Sequence, residues 1–157
     1  MKTITPCLWF DGVAEAAADY YTSVFPDSHI DGTTRYGPEA PEHEGRVLTV
    51  AFRINGQPYT ALNGGPEFTF SEAISMEVHC ESAEEVDRIY DTLVDGGTPQ
   101  PCGWLKDRFG VSWQVIPPGL PAWLNSSDAQ ARSRVAEVLF ATHGKLDTAA
   151  LEAAYRG

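Results

Sequence analysis

The chain has 157 residues, 43% of them hydrophobic and 11% aromatic, which gives one soluble domain, or two half-domains on one core, without metal or disulfide staples. Its 11 basic residues face 22 acidic ones, for a formal net charge of −11, and that balance excludes the phosphate-neutralising surfaces that bind nucleic acid or anionic membrane. No apolar run reaches the ~18 residues of a membrane span. Pro6 and Asp11 interrupt the N-terminus before a signal-peptide core can form, so a cytoplasmic location is expected.

In chain order, a strand over 4–10 leads into a helix over 11–25. Asp11 or Gly12 is its expected cap, Val13, Ala17, Tyr20, Tyr21 and Val24 form its apolar stripe, and Pro26 stops it. Strands over 28–36 and 47–54 follow, the second alternating Leu48, Val50, Phe52 and Ile54 onto one face. The Gly-, Pro- and acid-rich stretch 31–45 is a loop. A strand over 74–80 precedes a second helix over 82–94, with Ser82 and Glu85 as a capping box, Val86, Ile89, Tyr90 and Leu93 as its buried stripe, and Gly96-Gly97 as its end. Beyond Pro117-Pro118-Gly119 a helical tail begins, with a capping box at Ser127-Asp128-Ala129-Gln130. A last short helix follows Asp147, where Leu146 and Leu151 have the spacing of a hydrophobic staple. Cys7, Cys80 and Cys102 are far apart and fit neither a disulfide framework nor a zinc motif, so reduced thiols are expected.

The two helical segments align: Gly12, Glu15, Ala16 and Tyr20 match Ser82, Glu85, Val86 and Tyr90 at an offset of 70. Downstream, Gly56 to Leu62 matches Gly110 to Ile116 at an offset of 54. An internal duplication with an insertion in the first half accounts for both offsets. The expected organisation is therefore α+β: two βαβββ-like modules over 1–122 (about 1–66 and 67–122) forming a cupped mixed sheet, plus a helical tail over 123–157.

Three stretches carry a resemblance: Ile4-Thr5-Pro6-Cys7-Leu8-Trp9-Phe10-Asp11-Gly12, Ala61-Leu62-Asn63-Gly64-Gly65-Pro66, and the long motif from Cys102-Gly103-Trp104 to Ser112-Trp113-Gln114. Together with the paired modules they resemble the PhnB-like family of the vicinal oxygen chelate superfamily, whose members include glyoxalase and bleomycin-resistance proteins. That family also carries the label 3-demethylubiquinone-9 3-methyltransferase domain, and the resemblance is read through the tail. It implies the glyoxalase/bleomycin-resistance fold and a homodimer. In metal-using members the ligands are His, Glu or similar groups on the first and last strand of each half. Here those positions hold Thr5, Thr60, Ala73 or Ser75, and Gln114, so no metal and no cofactor is expected.

Strand alternation places Met76, Val78 and Cys80 against the helix and Ser75, Glu77 and His79 on the concave face. Leu8 and Phe10 likewise face the helix, leaving Thr5, Cys7 and Trp9 toward the cup. Glu77 and His79, two residues apart on one face and so roughly 6.5–7 Å apart, suit a base and an acid flanking a small substrate; a solvated strand end is the plainer reading. Trp9, Thr60, Asn63, Ser75, Trp104 and Gln114 are the expected ligand-binding residues. Asn63 also suits a turn, and Trp104 simple packing. Trp113 faces the helix. Lys106 and Arg108 form a cationic spot that neighbours such as Asp107 can neutralise, and His43 lies in the loop. Cys7 has no activating neighbour in sequence. Three functions are weighed: a small-molecule-binding protein or metal-independent enzyme; a metal-dependent enzyme that chelates vicinal oxygens, restored by Glu77 and His79 if the register shifts; and a methyltransferase, for which the Gly64-Gly65 turn is not followed by a helix.

Overall fold

A computed structural model describes residues 4–157. Met1, Lys2 and Thr3, part of the N-terminus read above for a signal segment, lie outside the described residues. Contacts divide the chain into two compact units, one ending at Phe70 and the other spanning Ser71–Gly157.

The first unit runs β1 (Cys7–Phe10), α1 (Ala14–Val24), β2 (His29–Arg35), β3 (Val47–Ile54) and β4 (Gln57–Asn63), forming a four-stranded sheet of order β1-β4-β3-β2. β1 is parallel to β4, and the other pairings are antiparallel. The helix buries Ala14, Ala17, Ala18, Tyr21 and Val24. Opposite lie Leu8, Phe10, Val50, Phe52 and Ala61, all buried, so the alternation read from the strands has put their apolar face under the helix. α1 is not capped by Asp11 or Gly12. Val13 occupies the cap position with no side-chain bond, and the Ala14 N–H donates instead to Asn63 Oδ1 at 2.9 Å, an acceptor brought from the end of β4.

The second unit runs β5 (Met76–His79), α2 (Ala83–Val94), β6 (Thr98–Pro99), β7 (Trp104–Lys106) and β8 (Ser112–Ile116), with sheet order β5-β8-β7-β6. The strand–helix–strands plan and the parallel pairing of first and last strand repeat those of the first unit. The sequence offsets reappear as register: Cys7 lies beside Thr60, and Glu77 beside Gln114. Ser82 Oγ caps α2 by accepting from Glu85 N at 3.1 Å. The return arm differs from the expected box, since the Glu85 carboxylate accepts from Glu81 N at 2.8 Å rather than from the cap residue. Val86, Ile89, Tyr90 and Leu93 are all buried, as their spacing predicts.

Three helices complete this unit: α3 (Leu120–Leu124), α4 (Ala129–Ala141) and α5 (Thr148–Arg156). α3 was not expected. The cap of α4 is Asp128, one residue after the expected Ser127, and its carboxylate accepts from Gln130 and Ala131 N–H. Leu146 and Leu151 are buried with Leu120 and Val135, and Trp123 stacks on Tyr155 at 5.8 Å. The tail packs on its own unit: Cys102 N–H donates to Thr142 O at 2.9 Å, Gly103 N–H to Gly144 O at 3.1 Å, and Gly144 N–H to Gln100 O at 2.9 Å. These bonds hold the loop before β7, where Cys102 sits at a φ of 60°, a left-handed conformation that costs a non-glycine residue energy and needs such anchoring. Lys145 ties the same segment to α2 through Asp87 (2.7 Å) and Asp91 (3.1 Å).

Candidate functional site

In the second unit, strand register sets Glu77 beside Gln114 and Gln114 beside Trp104. Residues directly opposite in a sheet share a face, so three of the expected site residues form one row across β5, β8 and β7. Gln114 Nε2 donates to Ser75 Oγ at 2.8 Å, which fixes the amide with its oxygen still available to accept. Glu77 Oε2 and His79 Nε2 are 3.2 Å apart, with side chains 53% and 59% exposed. They are therefore joined as a carboxylate–imidazole dyad rather than held apart as two separate groups. Such a dyad orients the ring while leaving it open to a small molecule.

Next to this row, Lys106 is bonded to Glu72 at 2.8 Å. The Lys106 ammonium, helped by the Gln100 amide, holds the Glu72 carboxyl at about 2, below its ordinary 4.5. The lowered value means that the pair stabilises the fold fully above the ordinary carboxylate pKa, and that this contribution is lost as pH falls through about 2. A carbon-detected NMR titration is expected to place the Glu72 midpoint near 2 in the native chain and to return it toward the ordinary value in Lys106→Met; an unshifted native midpoint would remove the pair from the account. Arg108 bonds Asp95 at 2.5 Å. Asp107, between these two cations in sequence, is buried and accepts from Phe109 N–H (2.8 Å), Val111 N–H (3.0 Å) and Trp113 Nε1 (2.8 Å). Trp113 lies on the buried face, as its alternation predicts.

In the first unit, Cys7 and Thr60 are register partners, and Trp9 lies opposite Leu62. The Trp9 ring is half-buried, donates from Nε1 to Gly65 O at 2.8 Å and meets Phe68 edge-on at 5.0 Å. The indole occupies the space where a side chain at Gly64 would stand. Burial pushes the Cys7 thiol above its ordinary pKa, so it is disfavoured as a thiolate nucleophile. Asn63 is fully engaged: beyond its cap on α1, its Nδ2 donates to Glu15 Oε2 (2.9 Å) and Val47 O (3.0 Å).

The same unit holds a cavity that the sequence reading did not anticipate, of about 380 Å³, at the end of the sheet beside the start of α1. Tyr36, His43 and Arg46 reach it from the loop between β2 and β3, and Asp11, Glu15 and Asn63 from the other side. The loop is closed at its base, Tyr36 N–H donating to Arg46 O and Gly45 N–H to Tyr36 O, both at 2.9 Å. The Tyr36 hydroxyl donates to Asn63 O at 2.8 Å, and its ring lies 5.3 Å from that of His43.

Among the described residues no group of three or more His, Cys, Asp or Glu side chains could hold a metal ion. Thr60, Ser75 and Gln114 offer neutral oxygens and an amide, a donor set that does not fit a divalent transition metal. Two βαβββ modules with parallel first and last strands define the glyoxalase/bleomycin-resistance fold of the vicinal oxygen chelate superfamily. Within it, the chain belongs to the family described as 3-demethylubiquinone-9 3-methyltransferase, whose model matches residues 2–116. The PhnB protein of Bacillus cereus is similar at 37% identity and a TM-score of 0.67, over 74% of this chain and 99% of that one. Protein PA1353 of Pseudomonas aeruginosa has the same fold at 21% identity and a TM-score of 0.61, covering 74% of this chain and 98% of its own. So does the fosfomycin resistance protein FosX of Listeria monocytogenes, at 12% identity and 0.55, covering 77% and 94%. No curated protein matches the chain. The match to the family ends at residue 116, so the resemblance does not run through the tail, and α3, α4 and α5 lie outside it.

Proposed function

We propose that the protein binds a small molecule on the face formed by β5, β8 and β7, without a metal, and that Glu77 and His79 supply acid–base chemistry there if the ligand is turned over. The observation that carries this reading is the exposed Glu77–His79 dyad at 3.2 Å, in the same patch as the fixed Gln114 amide and Trp104. A neutral amide orients a neutral or weakly acidic ligand, an indole face covers its flat side, and the dyad moves a proton. Support for a metal-dependent alternative comes from a variant of the Listeria protein that is complexed with Mn(II) and 1S,2S-dihydroxypropylphosphonic acid. A methyl donor held in the doubly wound manner needs a helix opening directly after the glycine turn, and here the chain passes from Gly64-Gly65 through turns to β5. The exposed edge strand β2 is consistent with a homodimer.

The test is elemental analysis of protein purified without chelator, with thermal-shift titrations of manganese, nickel, zinc and ferrous iron, followed by a thermal-shift screen of small organic acids, diols and quinones. No stoichiometric metal and no metal shift are expected, and any screen compound that stabilises the native chain should lose its effect in Gln114→Ala and Glu77→Gln. A stoichiometric metal, or stabilisers indifferent to both substitutions, would overturn the reading.

A further inference from the structure

In an acid-rich chain a basic side chain seldom lacks a partner. Lys106 and Lys145 sit in ion pairs, as do Arg53, Arg88, Arg108 and Arg156, while Arg35, Arg132 and Arg134 donate to backbone carbonyls. Arg46 is the exception: among the described residues its guanidinium has no hydrogen bond and no ion pair, and it lines the cavity of about 380 Å³ in the first unit. Arg35, on the same wall, spends its one bond on the Gly45 carbonyl and not on a carboxylate.

Opposite charge lines the same space without closing on it. Asp11 faces the cavity with no partner among the described residues, and Glu15 takes a single amide bond from Asn63. Neither carboxylate forms an ion pair with Arg35 or Arg46. The wall between is backbone: Gly12 and Gly65 stand at φ values of 73° and 96° with no atom where a Cβ would lie, so the approach is open where any other residue would intrude. A cavity near the small end of the ligand-site range, carrying a free guanidinium and a free carboxylate that do not neutralise each other, is complementary to a small molecule with both charges.

We propose that this cavity is a binding site for a small zwitterion of the α-amino acid class, its carboxylate held by Arg46 and its ammonium directed to Asp11 and Glu15. The site is lined by residues of the first unit alone, and the proposal does not depend on the function proposed for the β5–β8–β7 face. Tyr36 is a positioning residue: its hydroxyl bond to Asn63 and its ring against His43 fix the loop that presents Arg46.

The test uses the full chain and saturation-transfer NMR with the common L-amino acids, each beside its N-acetyl derivative, which lacks the ammonium, and its methyl ester, which lacks the carboxylate. At least one free amino acid is expected to bind, with both derivatives weaker by about tenfold or more. Arg46→Met and Asp11→Asn should each weaken that amino acid by a similar factor, and Arg53→Met, whose guanidinium is paired elsewhere, should not. Amide shifts should fall on Tyr36, His43, Asn63 and Gly65. Because the Arg46 and Asp11 side chains carry no bond among the described residues, the variants should melt with the native chain, so lost binding cannot be ascribed to unfolding. The proposal is overturned by no binding from any free amino acid, by derivatives that bind as well as the parent, by indifference to Arg46→Met, or by shifts confined to Glu77 and Gln114.

Discussion

Replacing Asp107 by alanine is expected to cost about 3–5 kcal/mol of unfolding free energy, because each buried donor left without an acceptor costs on the order of 1–3 kcal/mol. Asp107 is 3% exposed, and its two oxygens take the Phe109 and Val111 N–H groups and the Trp113 indole N–H. The backbone bonds shape the turn between β7 and β8, and the indole bond seats Trp113 in the core. Urea unfolding of the native chain and Asp107→Ala should show a lower midpoint with an unchanged slope. Asp107→Asn, which keeps one acceptor oxygen, should lie between the two. If both variants unfold at the native midpoint, the network contributes nothing to stability.

Leu151→Ala should destabilise by about 3–4 kcal/mol, the range for removing a fully buried leucine and leaving a cavity. Leu151 is 0% exposed and packs with Leu120, Val135 and Leu146. The sharper expectation concerns cooperativity. Since the tail clusters with the rest of Ser71–Gly157 and is bonded to the loop before β7, hydrogen exchange in β8 and in α5 should accelerate together in this variant. Acceleration confined to α3, α4 and α5 would mean that the tail is an independent cap.

The elements were legible because their cause is local. A stripe such as Val86, Ile89, Tyr90 and Leu93, or an alternation such as Leu8 and Phe10, is written in consecutive residues and needs only a neighbour to cover it. The two offsets equate Cys7 with Glu77 and Thr60 with Gln114, so they carry the repetition of one register in both modules, while the pairings themselves come from the folded sheets. What was not legible depends on distant partners. Asn63 was weighed as a ligand or a turn residue, yet it caps α1, forty-nine positions earlier in the chain. The dyad of Glu77 and His79 shared a face in the sequence reading, but only side-chain rotamers could decide that they bond to each other. Asp107 did carry a local signal: an aspartate two residues before a backbone N–H it accepts from, with Gly110 closing the turn, is an Asx-turn. Arg46 was invisible as a candidate because its distinction is the lack of a partner, which no sequence window contains.

The bonds from Thr142 and Gly144 to Gln100, Cys102 and Gly103 also set a timetable for biosynthesis. The first unit has every strand and its helix in hand by Phe70 and can close while the chain is still being made. The second cannot: the left-handed turn at Cys102 has no anchor, and Leu120 no cover, until residues 142–151 have emerged from the ribosome. Through that interval the apolar surface around Leu120 waits for the tail that covers it.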